Sequence, residues 1–176
     1  MTCVGVAAQN VKPFVIPELK EWQGKDGAFV PSEKTCIVYG NAALQSIAEA
    51  FAADWKEMFG NSLQVKAGKP QAGDFYLTLK KDKKLGKEGY AIAVAKYVTV
   101  SAPETTGVYW ATRTLLQIGE QSDNHALPHG TVRDWPDYSV RGFMMDCGRK
   151  FIPMAYLQDL VKIMAYYKMN TLQVHL

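Results

Sequence analysis

Residues 140–151, VRGFMMDCGRKF, and residues 170–176, NTLQVHL, flank a run with helical patterning, and together they decide how this end of the chain folds. Residues 141–146 form an apolar run closed by an aspartate and read as a strand. Pro153 opens the next segment, where a missing backbone donor costs nothing because the first amides of a helix have no intrahelical partner. Leu157, Leu160, Val161 and Met164 then recur at helical spacing and predict a one-faced helix. Residues 171–176 return to a strand pattern. Strand, helix and strand in that order make a β-α-β unit, whose strands run parallel through a right-handed crossover. Parallel strands need helices on their faces or a closed barrel around them, and one unit cannot satisfy that alone.

In open parallel sheets and in β/α barrels, functional groups gather where the strands end, because the loops there converge on one face. Here that end is DCGRK, residues 146–150. Asp146 closes the strand, Gly148 relaxes the backbone, and Arg149 carries a planar fork of donors that matches two adjacent oxygens. A vicinal diol on a sugar offers such a pair. The same two charges could instead form an ion pair that merely pins the loop. Arg141 starts the strand, far from that face, and reads as structural.

Upstream, residues 11–40 look extended, with turn chemistry at Gln23-Gly24, Asp26-Gly27 and Pro31-Ser32. Residues 41–59 place Leu44, Ile47, Ala48, Phe51, Ala52, Trp55 and Met58 at helical steps between Asn41 as a cap and Gly60 as a stop. Short strands are expected at 62–65, 74–79, 90–94 and 97–101, the last two as a hairpin around Ala95-Lys96. A second helix is expected over 106–118, with Thr105 or Thr106 as cap and Gly119 as terminator. The polar segment 121–139 holds two prolines and a glycine, and the domain linker is expected inside residues 119–139. The predicted fold class is α+β: a mixed or antiparallel sheet of five or six strands covered by two helices over 11–130, then a truncated start of a (β/α)8 barrel over 131–176.

Composition narrows the partners. Twenty basic residues against 17 acidic ones leave +3, spread along 176 residues, too diffuse a charge for nucleic acid. Three cysteines, Cys3, Cys36 and Cys147, show neither a disulfide framework nor a metal spacing, so free thiols and no metal or cofactor are expected. No apolar run reaches the length of a membrane span. Residues 1–10 are small and apolar, with Val6 and Ala8 where a signal peptidase would read, which suits either a remnant of an export signal or a frayed terminus.

RGFMMDCGRKF, the helix after it, and LQVHL resemble the opening of the catalytic barrel of family 20 glycoside hydrolases, the β-N-acetylhexosaminidases. EGYAIAV at 88–94 and TTGVYWATRTLLQI at 105–118 resemble the end of the non-catalytic domain that precedes that barrel, and IPELKEWQG at 16–24 fits its start. The resemblance implies an exo-acting, retaining hydrolase of terminal N-acetylglucosamine or N-acetylgalactosamine on glycans, and the pattern in residues 1–10 sets export from the cytoplasm as the expected location. It implies that the substrate's own acetamido oxygen attacks the anomeric carbon, an exception to the two-carboxylate scheme, with an Asp-Glu pair from a later strand in support. That pair is not expected within these residues, so the chain by itself is expected to be inactive. The resemblance gives Arg149 the role of gripping the hydroxyls on carbons 3 and 4 of the terminal sugar. It makes Asp146 a loop-positioning residue and matches His175 to a family histidine, whose role stays open between a buried, hydrogen-bonded imidazole, the favoured reading, and contact with ligand. Lys150 and Gln173 stand where the family commonly has histidine.

The remaining signals read as structural. Lys80, Lys81, Lys83, Lys84 and Lys87 lack interleaved aromatics and suit a solvated loop. His125 and His129 are separated by Pro128 and read as linker residues, Trp55 and Trp110 as core, and Trp22 and Trp135 as core or sugar platforms. A non-catalytic sugar-binding or interaction module, or the leading domain of another glycosidase family, is the alternative. Two barrel strands without partners also present open edges, which predicts self-association, repacking or mobility of 140–176.

Overall fold

The computed structural model describes residues 9–176, so Cys3 and the Val6/Ala8 pattern lie outside the described residues. The chain divides into two compact units, Met1–Trp135 and Pro136–Leu176.

In the first unit the elements run β1 (Glu21–Phe29), β2 (Cys36–Tyr39), a 3₁₀ turn (Ala42–Leu44), α1 (Gln45–Phe59), β3 (Gln64–Ala67), β4 (Phe75–Leu79), β5 (Tyr90–Val94), β6 (Val98–Ala102), α2 (Thr105–Gly119) and β7 (Leu127–Asp134). All seven strands join one sheet in the order β1-β7-β5-β6-β4-β2-β3. The half from β6 through β4 and β2 to β3 is parallel. The half from β6 through β5 and β7 to β1 is antiparallel. The expected hairpin at Ala95-Lys96 is the join between β5 and β6. Asn41 caps the first helical turn by accepting from the Ala43 amide, and Gly60 ends α1 in the left-handed region at φ 79°, which glycine adopts without a Cβ clash.

Several features differ from the sequence reading. The sheet has seven strands because β7 occupies residues assigned to a linker. Its alternation runs from Gly130 through Val132 to Asp134, all buried, with Leu127 buried at the strand's start. Gly130 does not break it: a Cβ there would lie 2.5 Å from the Trp22 ring, so the missing side chain makes room for a neighbour. The division between units therefore falls after Trp135, five residues beyond the expected 130/131 boundary. The glycine pairs at 23–27, read as turns, instead form an irregularity within β1, where the register with β7 shifts between Gly24 and Ala28. Residues 14–16 form no strand. Their backbone is held by two glutamines four residues apart, Gln117 on α2 and Gln121 just beyond its end: Gln117 bonds both the amide and the carbonyl of Ile16, and Gln121 does the same for Phe14.

The core lies between the sheet and the two helices α1 and α2. Phe75 of β4 is fully buried and meets Phe29, Phe51 and Trp55, each at a centroid distance of 5.3 Å. α2 approaches the sheet at Gly107, where a Cβ would lie 2.3 Å from the Gly89 carbonyl oxygen. Buried polar groups are paired across elements. Asp54 of α1 meets Arg113 of α2 at 2.6 Å, and the Tyr90 hydroxyl lies 2.6 Å from the Thr114 hydroxyl and donates to Asp134 at 2.5 Å. Burial, with the Asp134 carboxylate beside it, pushes the Tyr90 phenol well above its ordinary range, so it keeps its proton and stays a donor.

The second unit holds β8 (Gly142–Asp146), α3 (Met154–Tyr166) and β9 (Thr171–His175). β8 and β9 pair in parallel, in register from Gly142↔Thr171 to Asp146↔His175. This is the expected β-α-β unit, with Pro153 at the helix start. Met164 is buried and Leu157 and Leu160 are half-buried, whereas Val161, expected on the same face, is 49% exposed. Arg141 is structural, as read: its Nε donates to the Lys168 carbonyl and its Nη1 to the Tyr138 carbonyl, each at 2.7 Å. Asn170 completes the latch by accepting from the Arg141 amide and donating to the Ser139 carbonyl.

Candidate functional site

β8 and β9 end side by side, and the DCGRK loop leaves from that edge. Its seat is built from backbone. The Cys147 amide donates to the His175 carbonyl at 2.8 Å, tying the loop to the end of β9. Gly148 lies against the next residue of that strand, since a Cβ on it would come within 3.1 Å of the Leu176 carbonyl carbon. Only a glycine fits there without displacing main chain.

Asp146 organises the rest of the loop. Its Oδ1 accepts from the amides of Gly148 at 3.1 Å and Arg149 at 3.2 Å, a turn in which a side-chain oxygen stands in for a carbonyl. Its Oδ2 lies 3.4 Å from Arg149 Nε, so the two charges that the sequence set as either partners or separate actors are partners. The pairing leaves Arg149 available: its side chain is 91% exposed, against 33% for Asp146. The contact is at the Nε edge, and the terminal nitrogens of the exposed guanidinium carry donors that suit two adjacent acceptor oxygens.

His175 stands opposite Asp146 in the register and shares its face of the sheet, because partners in a parallel pair point the same way. It is exposed, which corrects the expectation of a buried imidazole. A strand position can bury a side chain only against a neighbouring strand or helix, and β9 has a single strand partner. Gln173 lies two residues back on the same face, and Lys150 is exposed beyond Arg149.

The other candidates fall elsewhere. Trp22 is half-buried and its indole nitrogen donates to the Asn10 carbonyl, a packing role. His125, read as a linker residue, stacks on Phe59 at 4.2 Å and closes over the end of α1, while His129 lies in β7 with its Nδ1 3.0 Å from the Asp26 carbonyl. Cys36 is a buried free thiol and Cys147 a half-buried one. Among the described residues no group of three His, Cys, Asp or Glu is placed to hold a metal ion, and no helix is long and apolar enough to cross a membrane.

A mixed-sheet domain followed by a parallel β-α-β unit agrees with a leading domain and the start of a β/α barrel. Residues 12–135 match the model of glycosyl hydrolase family 20, domain 2, and residues 138–176 match that of the family 20 catalytic domain, so the chain belongs to glycosyl hydrolase family 20. It is 29% identical over 165 residues to a β-hexosaminidase of Vibrio furnissii and 28% identical over 172 residues to one of Porphyromonas gingivalis, each alignment covering 92% of this chain. It spans 26% and 22% of the length of those two relatives. Its fold superimposes on the GH20 β-N-acetylhexosaminidase of Streptomyces coelicolor A3(2) with a TM-score of 0.80 at 22% identity, covering 96% of this chain and 36% of that one.

Proposed function

We propose that this chain is the amino-terminal portion of an exo-β-N-acetylhexosaminidase, and that Arg149 clasps the hydroxyls on carbons 3 and 4 of a terminal N-acetylglucosamine or N-acetylgalactosamine. One observation carries this reading: a guanidinium 91% exposed at the carboxyl edge of the first barrel strand, held along one edge only. A fork of parallel donors suits vicinal hydroxyls better than a point charge does. Family membership and the β-hexosaminidase relatives support the substrate class.

In the reaction we propose, the substrate's acetamido oxygen forms the first bond to the anomeric carbon while a glutamic acid protonates the departing oxygen. An aspartate beside it orients the acetamido group. Both would come from later in the barrel. The contribution of these 176 residues is to fix the ring by its far hydroxyls, so that the acetamido arm and the anomeric carbon meet in an attacking geometry.

In the enzyme with its complete barrel, Arg149→Ala is expected to lower kcat/KM for an aryl N-acetylglucosaminide by roughly 10- to 150-fold, the loss of hydrogen bonds to a charged donor. Unchanged kcat/KM in that variant would remove the proposal. This chain taken alone is also expected to self-associate. Phe143, Met144 and Val174 are 44%, 58% and 41% exposed on a two-stranded sheet whose outer edges are open. Light scattering should report masses above 19.6 kDa, and a strictly monomeric solution would refute the association.

A further inference from the structure

We propose that the loop from Lys80 to Glu88, between β4 and β5, is a docking surface for an anionic polysaccharide, a glycan chain that carries sulfate or carboxylate groups. The choice of a glycan rests on the glycosidase reading given above, whereas the charge and its arrangement stand without it.

The loop, KKDKKLGKE, sets five lysines against Asp82 and Glu88, which leaves +3, as much as the whole chain carries. Basic and acidic residues balance over the rest of the chain, so the excess is concentrated here. The fold then sorts the two signs. Asp82 and Glu88 are half-buried and turned onto protein donors. Asp82 Oδ2 accepts from Arg133 Nη1 of β7 at 2.7 Å and its Oδ1 from the Lys84 amide at 3.0 Å, while Glu88 Oε2 accepts from the Trp110 indole nitrogen of α2 at 2.9 Å. All five lysines are exposed, and among the described residues none of their ammonium groups has a hydrogen bond or an ion pair. Lys84 attracts Asp82 through space without bonding it. A merely solvated loop would pair its lysines with its own acids, and here those acids are already taken.

The backbone under the lysines is fixed. Leu85, at the middle of the loop, is 4% exposed, the Lys80 amide donates to the Ala102 carbonyl at 2.8 Å, and the Gly89 amide donates to the Leu85 carbonyl at 2.9 Å. A Cβ on Gly89 would lie 2.2 Å from that carbonyl oxygen, so the turn closes only around glycine. Cations on a fixed backbone lose less freedom on meeting a polyanion than cations on a mobile tail.

Lysine is a point charge, which selects an anionic group without demanding one orientation. The loop has no aromatic side chain to stack on unpaired bases. A DNA duplex is stiff over about 150 base pairs, so one short loop meets few of its phosphates. Leu85 is the loop's single large apolar side chain and is buried, and stable anchoring on a membrane takes apolar insertion besides charge. A flexible polysaccharide can lay its acid groups along the loop.

The test uses the enzyme with its complete barrel and fluorescent chondroitin sulfate, with neutral dextran as the uncharged control. The parent is expected to bind chondroitin sulfate and not dextran, with affinity falling at least about tenfold between roughly 50 and 200 mM salt as counterions are released. Replacing Lys80, Lys81, Lys83, Lys84 and Lys87 together by glutamine should weaken binding about tenfold or more, each lysine removed lowering the salt slope by about one. Replacing the same five by arginine should keep it. Both variants should melt like the parent and hydrolyse an uncharged aryl N-acetylglucosaminide at the parent rate, since none of the five is placed at the sugar site. Unsulfated chondroitin identifies the recognised group: equal binding assigns it to carboxylate, and loss of binding to sulfate.

A parent that binds neither form of chondroitin, or a glutamine variant that binds as the parent does, would overturn the inference and leave the role of Arg149 standing. A short DNA duplex or phosphatidylserine vesicles bound more tightly than chondroitin sulfate at equal salt would overturn it as well, since the loop would then serve another polyanion. An unimpaired R149A beside lysine-dependent binding would remove the hexosaminidase reading and leave the binding surface in place.

Discussion

An aryl N-acetylglucosaminide incubated with the purified 176-residue chain is expected to hydrolyse no faster than in buffer. Gripping a sugar does not by itself lower a barrier. Interactions formed equally with substrate and transition state leave kcat where it was, and the hydroxyls proposed for Arg149 are ones that do not react. Departure of the aryl oxygen needs an acid beside it, and attack by the acetamido oxygen needs a partner that orients the amide. No Asp-Glu neighbour pair occurs in this sequence to supply them. Glycosidase-scale acceleration of at least about a millionfold is therefore expected to be missing in full, a larger effect than any single substitution proposed here. The measurement is release of the aryl alcohol over days against a protein-free blank. Saturable turnover by the pure chain, abolished by an acetamido-directed inhibitor, would refute it and would place the acid within these residues.

How much could be read from the residues alone depended on whether a signal was local. The helix ending at Gly60 and the β5/β6 hairpin carry their own periodicity and punctuation, and both form where expected. β7 carried the correct alternation too, but Pro128 and Gly130 read as breakers, because the reason for the glycine is the Trp22 ring more than a hundred positions away in sequence. Residues 14–16 show the same limit. Their apolar run reads as extended strand, yet their hydrogen bonds go to Gln117 and Gln121, and no local pattern announces a backbone satisfied by distant side chains.

The site divides along the same line. Asp146 and Arg149 are three residues apart, so their pairing is local and was one of the two arrangements that spacing allowed. His175 depends on the surroundings of β9, which its own strand cannot announce, and there the expectation of burial fails. Gly148 could be singled out as a loop glycine, but its close approach to Leu176 depends on the parallel register of two strands separated by a helix. Functional loops at strand ends are read well for the side chains they carry and poorly for the main chain that seats them.

In the leading domain, Phe75→Ala is expected to cost about 3–5 kcal/mol, the range for removing a buried phenylalanine with partial relaxation around it. The upper half of that range is the expectation here. Phe75 lies on a strand paired on both sides, with β2 and with β6, so the backbone beneath it cannot move to fill the void. The ring is fully buried and meets aromatic neighbours from three places in the chain: Phe29 at the end of β1, and Phe51 and Trp55 on α1. Each is a large, stiff plate that cannot flow into a cavity as a methionine might. A domain of this size is stable by roughly 5–15 kcal/mol, so this one ring accounts for a large part of the margin between folded and unfolded. Urea unfolding of residues 1–135 should show the midpoint falling with little change in slope. Phe14→Ala, which removes a ring 73% exposed, should stay within about 0.5 kcal/mol of the parent. If the two substitutions cost the same, the ring cluster around β4 is not what holds α1 to the sheet.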